Sequence, residues 1–115
     1  MAVYNGAYPV LPGKVDAARA FAAAVAGPRR AEFDEMQRNA KTSRETWSFQ
    51  EMPGDGGLVL VWFEAEDVEH ALAQAFTDTS EFGQWFVAQV HDITGLDMSQ
   101  PPDVAPPEVV LDWSA

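Results

Sequence analysis

A chain of 115 residues, 47% hydrophobic and without cysteine, is sized for one domain with one core and excludes a disulfide framework, a thiolate metal site and a cysteine nucleophile. Its net charge of −11 argues against a nucleic-acid partner, which needs clustered Lys and Arg. No apolar run approaches the roughly 20 residues that cross a bilayer, and the opening Met1-Ala2-Val3-Tyr4-Asn5 lacks a basic segment followed by an apolar one, so a cytoplasmic protein with no membrane partner is expected.

Ala2 to Val10, rich in Tyr and Val, reads as a first strand closed by Pro9-Val10-Leu11-Pro12-Gly13. From Lys14 to Ala26 the residues Val15, Ala18, Phe21, Ala22 and Val25 recur at helical spacing. Gly27-Pro28 marks a bend, with Pro28 suited to the first position of the next helical stretch. Phe33, Met36 and Ala40 carry the stripe on to about Lys41, giving one long bent helix. Thr46 to Met52 alternates Trp47 and Phe49 with polar residues and reads as a strand. Pro53 to Gly57 is a turn, and Leu58 to Glu64 completes a hairpin.

A second helix begins after Glu66-Asp67, where acids suit a helix N-terminus. Val68, Ala71, Leu72, Ala75 and Phe76 form its first stripe, and Thr77 to Ser80 interrupts it. Phe82, Trp85, Phe86, Val90 and Ile93 form a second stripe, ended by Gly95. A Pro-rich connector, 98–107, leads to Glu108–Trp113, read as a last short strand.

The order strand, helix, hairpin, helix, strand predicts an α+β fold over 1–115: a ferredoxin-like β-α-β-β-α-β sandwich, four antiparallel strands with helices on one face. Leu58, Leu60 and Trp62 point one way from the hairpin strand, while Val59, Val61 and Phe63 point the other. A strand apolar on both sides expects cover on both faces. Helices supply one cover, and a second copy of the chain, a homodimer, is expected to supply the other.

All seven basic residues lie in the first 44 positions, and from Glu45 onward there are fourteen acids and no Lys or Arg. Arg29, Arg30 and Arg44 are therefore candidates to hold an anionic ligand or to meet acids of the second half. The histidines are weak catalytic candidates. At 100° per residue, His70 and His91 fall opposite the apolar stripes of their helices and point away from the core. Gly54-Asp55-Gly56-Gly57 joins two strands instead of opening a helix, so it is a turn and not a phosphate cradle. No metal site and no bound cofactor are expected. The aromatic set Phe33, Trp47, Trp62, Phe76, Trp85 and Phe86 reads as ordinary core packing or, in the alternative, as a core of which some members line a flat cavity for an aromatic ligand.

Val61-Trp62-Phe63-Glu64-Ala65-Glu66-Asp67-Val68-Glu69-His70-Ala71-Leu72, followed by Phe82-Gly83-Gln84-Trp85-Phe86, resembles the antibiotic-biosynthesis-monooxygenase-like group of the dimeric α/β-barrel superfamily. The resemblance implies a dimeric barrel holding a planar ligand between sheet and helices. It also implies either cofactor-free, monooxygenase-like chemistry on a hydrophobic aromatic metabolite or noncatalytic ligand binding or interaction. Asn5 matches the Asn that the group places on its first strand and is the candidate catalytic residue, with Trp62 and Tyr8 as looser candidates. The haem-degrading branch also needs a Trp and a His on the second helix. Anchored on Phe82, those positions are Phe76 and Phe86, so that activity is not implied. Asn5 lies on the strand face opposite Tyr4 and Tyr8. If Asn5 faces the pocket, the tyrosines face the dimer barrel.

Overall fold

The structure is a computed structural model that describes residues 1–99, 105 and 107–115. Its elements, in order, are β1 (Ala2–Val10), α1 (Val15–Ala26), α2 (Arg30–Ala40), β2 (Thr42–Met52), β3 (Gly56–Ala65), α3 (Val68–Thr77) and α4 (Glu81–Thr94). The three strands form one antiparallel sheet in the order β1-β3-β2.

This differs from the expected four-stranded ferredoxin-like layout and from a dimeric α/β barrel built on it. The expected strand over 108–113 is absent: residues 107–115 have no regular structure, and Val110, Leu111 and Trp113 are 87%, 81% and 78% exposed. A β-branched, apolar run suits a strand, but a strand exists only where a neighbouring edge accepts its hydrogen bonds. Most of the connector expected over 98–107 lies outside the described residues.

Each expected helix is two helices. The backbone turns at Gly27-Pro28-Arg29, and α2 begins at Arg30, two residues past the proline. It ends at Lys41, which adopts a left-handed conformation (φ 56°) and donates its N–H to the carbonyls of Gln37 and Arg38. The break between α3 and α4 falls at Asp78, whose extended backbone ends α3. Ser80 restarts the chain by accepting the Gly83 N–H on its hydroxyl at 3.0 Å. Asp67 caps α3 in the same way, accepting from the His70 N–H.

The hairpin is as expected in place and partner, with Gly54 (φ 92°) and Asp55 (φ 60°) making its turn. Strand β2 is longer than expected, beginning at Thr42 with a register irregularity between Thr42 and Arg44. The helices cover one face of the sheet. Val10, Phe21, Met36, Phe82, Phe86 and Ile93 are buried there in the main core cluster, and Ala40, Phe63, Ala65 and Ala71 form a smaller one. Among the described residues no helix covers the other face. On it Val3 is 45% and Leu60 42% exposed, and Trp62 is half-buried.

Candidate functional site: an apolar cleft between sheet and helices

Pairing across the sheet sets the site. Antiparallel registry places Tyr4, Phe63 and Glu45 in one row, Gly6, Val61 and Trp47 in the next, and Tyr8, Val59 and Phe49 in a third. Side chains of all three rows line a cleft of about 270 Å³ beneath the helices. That volume is just below the roughly 300–1,000 Å³ of most small-molecule sites. Phe33, Met36, Ala71, Ala75, Phe76 and Phe86 form much of its helical wall. The lining is mostly hydrocarbon, so its few polar atoms set what it can recognise.

Tyr4 and Tyr8 are one of two hydrogen-bonded polar groupings on its sheet side, and Arg19, Thr42, Ser48 and Thr94 also reach the lining. The two tyrosines stand two residues either side of Gly6, on the same strand face, and their hydroxyls are 2.7 Å apart. The glycine permits the pairing. A Cβ at position 6 would lie 2.6 Å from the Tyr4 hydroxyl and 2.8 Å from the Tyr8 ring. Burial is the main reason the Tyr8 phenol is pushed well above its ordinary value, helped by the Tyr4 hydroxyl and by the nearby charges of Tyr4 and Glu45. Tyr8 is thus a neutral hydroxyl at any physiological pH, a donor and not a base.

Glu45 is the centre of the other. It is half-buried and accepts hydrogen bonds from Gln37 Nε2 at 2.9 Å and from the Trp47 indole N–H. Burial raises its pKa, and the two hydrogen bonds oppose that rise without cancelling it. Glu45, Gln37 and Trp47 also border a second hollow of about 510 Å³, on whose walls Arg30, Asp34, Ser43 and Arg44 stand. The carboxylate therefore stands at the boundary between an apolar interior and a polar approach.

The raised value has a testable sign. The unfolded chain releases the Glu45 proton near the ordinary 4.5, while the folded chain keeps it to higher pH. The native state then binds more protons, so this group lowers stability progressively as pH rises from about 4.5 to the raised value. Glu45→Gln keeps the side-chain size and removes the titration. In urea unfolding, the variant should gain on the native chain between pH about 4 and pH about 8. An equal difference at both pH values would show that burial of Glu45 costs nothing.

The sequence-predicted residues separate into groups. Phe33, Trp47, Phe76 and Phe86 meet in the cleft. Trp85 lies behind it, edge-on to Phe21 with centroids 5.4 Å apart. Asn5 and Trp62 are paired neighbours on β1 and β3, but they share the helix-free face with Leu60. The cleft side of β1 belongs instead to Tyr4 and Tyr8. The helices pack on the tyrosine side, so the reverse placement, Asn5 in the pocket and the tyrosines outside, does not hold.

Arg29 is engaged within the chain: Glu32 accepts from it at 2.9 and 3.0 Å, Glu81 also pairs with it, and its guanidinium lies 4.3 Å from the Trp85 ring centroid. Those bonds raise its pKa and lower that of Glu32. Arg29 thus bolts α2 to α4. Arg30 pairs with Asp34 at 2.8 Å, and Arg44 makes no ion pair among the described residues. His91 is exposed, as expected, whereas His70 is half-buried and joins α3 to the Asn39 carbonyl at 3.1 Å.

Sequence reading missed Glu45, Gln37 and Gly6. The signal for Glu45 was parity: it stands two residues before Trp47, on the same strand face. Gly6 was legible as the middle of Tyr4-Asn5-Gly6-Ala7-Tyr8, where alternation puts all three odd members of the pattern on one side. Among the described residues no group of three or more His, Asp or Glu side chains is placed to hold a metal, and no helix is long and apolar enough to cross a membrane. Comparison with protein-family models, curated proteins and solved structures finds no match to this chain.

Proposed function

We propose that this chain binds a small, flat, hydrophobic aromatic molecule in the cleft between its sheet and its helices. The observation that carries the reading is an apolar hollow walled by aromatic rings and supplied with two separate polar groups. A solid aromatic core has no need of a carboxylate and a tyrosine pair facing the same space, because each costs desolvation. The bound molecule displaces water from hydrocarbon and satisfies those groups. Acid–base chemistry on it would fall to Glu45.

Tryptophan emission tests this directly, since Trp47 forms part of the wall. Naphthalene titrated into the protein should quench that emission saturably. Ala75→Phe, which fills the cleft from α3, should weaken binding at least about tenfold while the unfolding midpoint holds; a tenfold loss is about 1.4 kcal/mol. Unchanged naphthalene affinity in the filled variant would place the binding elsewhere.

The helix-free face of the sheet supports a second reading, association of two copies. Val3, Leu60 and Trp62 leave apolar area in water there. Sedimentation should show a dimer that Leu60→Glu dissociates; a single monomeric species at high concentration in the native chain contradicts it.

A further inference from the structure

The polar groups of the cleft are opposite in kind and stand on opposite flanks of one residue. Gly6, Val61 and Trp47 lie side by side in the middle row of the sheet. The tyrosine hydroxyls meet over Gly6, and the Glu45 carboxylate takes the Trp47 N–H on the far flank. Two strand spacings, roughly 10 Å, separate the backbones of those flanks, and Val61 is the floor between them. An ionised carboxylate only accepts hydrogen bonds. Each Glu45 oxygen has one protein donor, which leaves lone pairs free. Two hydroxyls bonded to each other retain one O–H to give, and the mutual bond strengthens it.

We propose that the cleft selects aromatic molecules carrying a phenolic hydroxyl at one end and a conjugated carbonyl oxygen at the other. The hydroxyl lies on Glu45, which takes its proton, and the carbonyl lies on the Tyr4–Tyr8 pair. This rests on the reading of the cleft as an aromatic site. The phenolic O–H bond breaks and a Glu45 O–H bond forms. The electron pair stays on the phenolic oxygen and spreads through the ring to the carbonyl oxygen, where a tyrosine O–H meets the developing charge. No further reactant is needed.

The raised proton affinity of Glu45 brings it toward that of an acidified phenol, and the raised pKa of Tyr8 keeps that hydroxyl protonated. The charged groups around Glu45 are Arg19 on the inner wall and Arg30, Asp34 and Arg44 in the adjoining hollow. Arg30 is paired with Asp34 and Arg19 with Glu51, which leaves Arg44 as the cation there without an ion pair among the described residues.

The test uses para-hydroxyacetophenone, meta-hydroxyacetophenone and para-methoxyacetophenone with the native chain. The para-hydroxy compound should bind roughly ten- to hundredfold more tightly than the methoxy compound, the range of a hydrogen bond to a charged group. Its absorption should move to the phenolate band at a pH where the free compound is neutral. Glu45→Gln should abolish that band, and Tyr8→Phe should diminish it. Equal affinity for all three without a phenolate band overturns the proposal and leaves the aromatic cleft standing. Binding of none overturns both.

Discussion

Phe86→Ala should destabilise the fold by about 3–5 kcal/mol, the range for a large buried ring lost from a core. Phe86 is 7% exposed on α4. Its ring stacks with Phe33 from α2 and meets Phe21 from α1 edge-on, with centroids 6.3 and 5.2 Å away. It also meets Trp47 of β2 at 5.9 Å and Phe82 of its own helix at 6.0 Å. One ring thus joins three helices and the sheet, and alanine leaves a void that none of these rigid neighbours can fill. Against a total stability of roughly 5–15 kcal/mol for a domain, that loss moves a urea midpoint far. Phe86→Leu, which refills part of the space, should lose clearly less. A small loss for the alanine variant, below about 1 kcal/mol, would mean that the helices do not rely on this ring.

The second large effect comes from a residue without a side chain. Gly83→Ala should destabilise by about 2 kcal/mol or more, although alanine is intrinsically better than glycine inside a helix by about 1 kcal/mol. Gly83 is buried in the first turn of α4, and a Cβ there would lie 2.5 Å from the Asp78 carbonyl oxygen and from its side chain. The carbonyl cannot step aside cheaply. Asp78 Oδ1 accepts the Ser80 N–H at 2.9 Å, and Ser80 Oγ accepts the Gly83 N–H itself at 3.0 Å. Moving the linker breaks the cap that starts α4, worth about 1 kcal/mol alone. Thermal unfolding by circular dichroism measures it. A stabilised Gly83→Ala protein would show that the α3–α4 linker is loose.

Local pattern revealed the elements that depend on local chemistry. The hairpin, the helix stops at Gly95 and near Lys41, and the breaks at Gly27-Pro28 and Thr77–Ser80 all stand where turn and cap residues put them. The fold class did not follow, because Glu108–Trp113 carries a strand-like apolar run, Val109-Val110-Leu111, while pairing is a tertiary event that no short pattern encodes. Resemblance then weighted Asn5, whose face depends on which side of β1 the helices cover. Parity made Asn5 and the tyrosines mutually exclusive, and only the packed helices decide between them. Glu45 escaped for a related reason. An acid before an aromatic strand looks like solvated edge until the strand is seen to begin three residues earlier, at Thr42.

The account turns on a small aromatic guest lying on the cleft face of β3. Intermolecular nuclear Overhauser effects between bound para-hydroxyacetophenone and the protein's methyl groups test this most directly. The ring protons should reach Val59 and Val61, and not Leu60 on the opposite face of the same strand. Contacts to Leu60 without contacts to Val61 would put the ligand on the open side of the sheet and contradict the account.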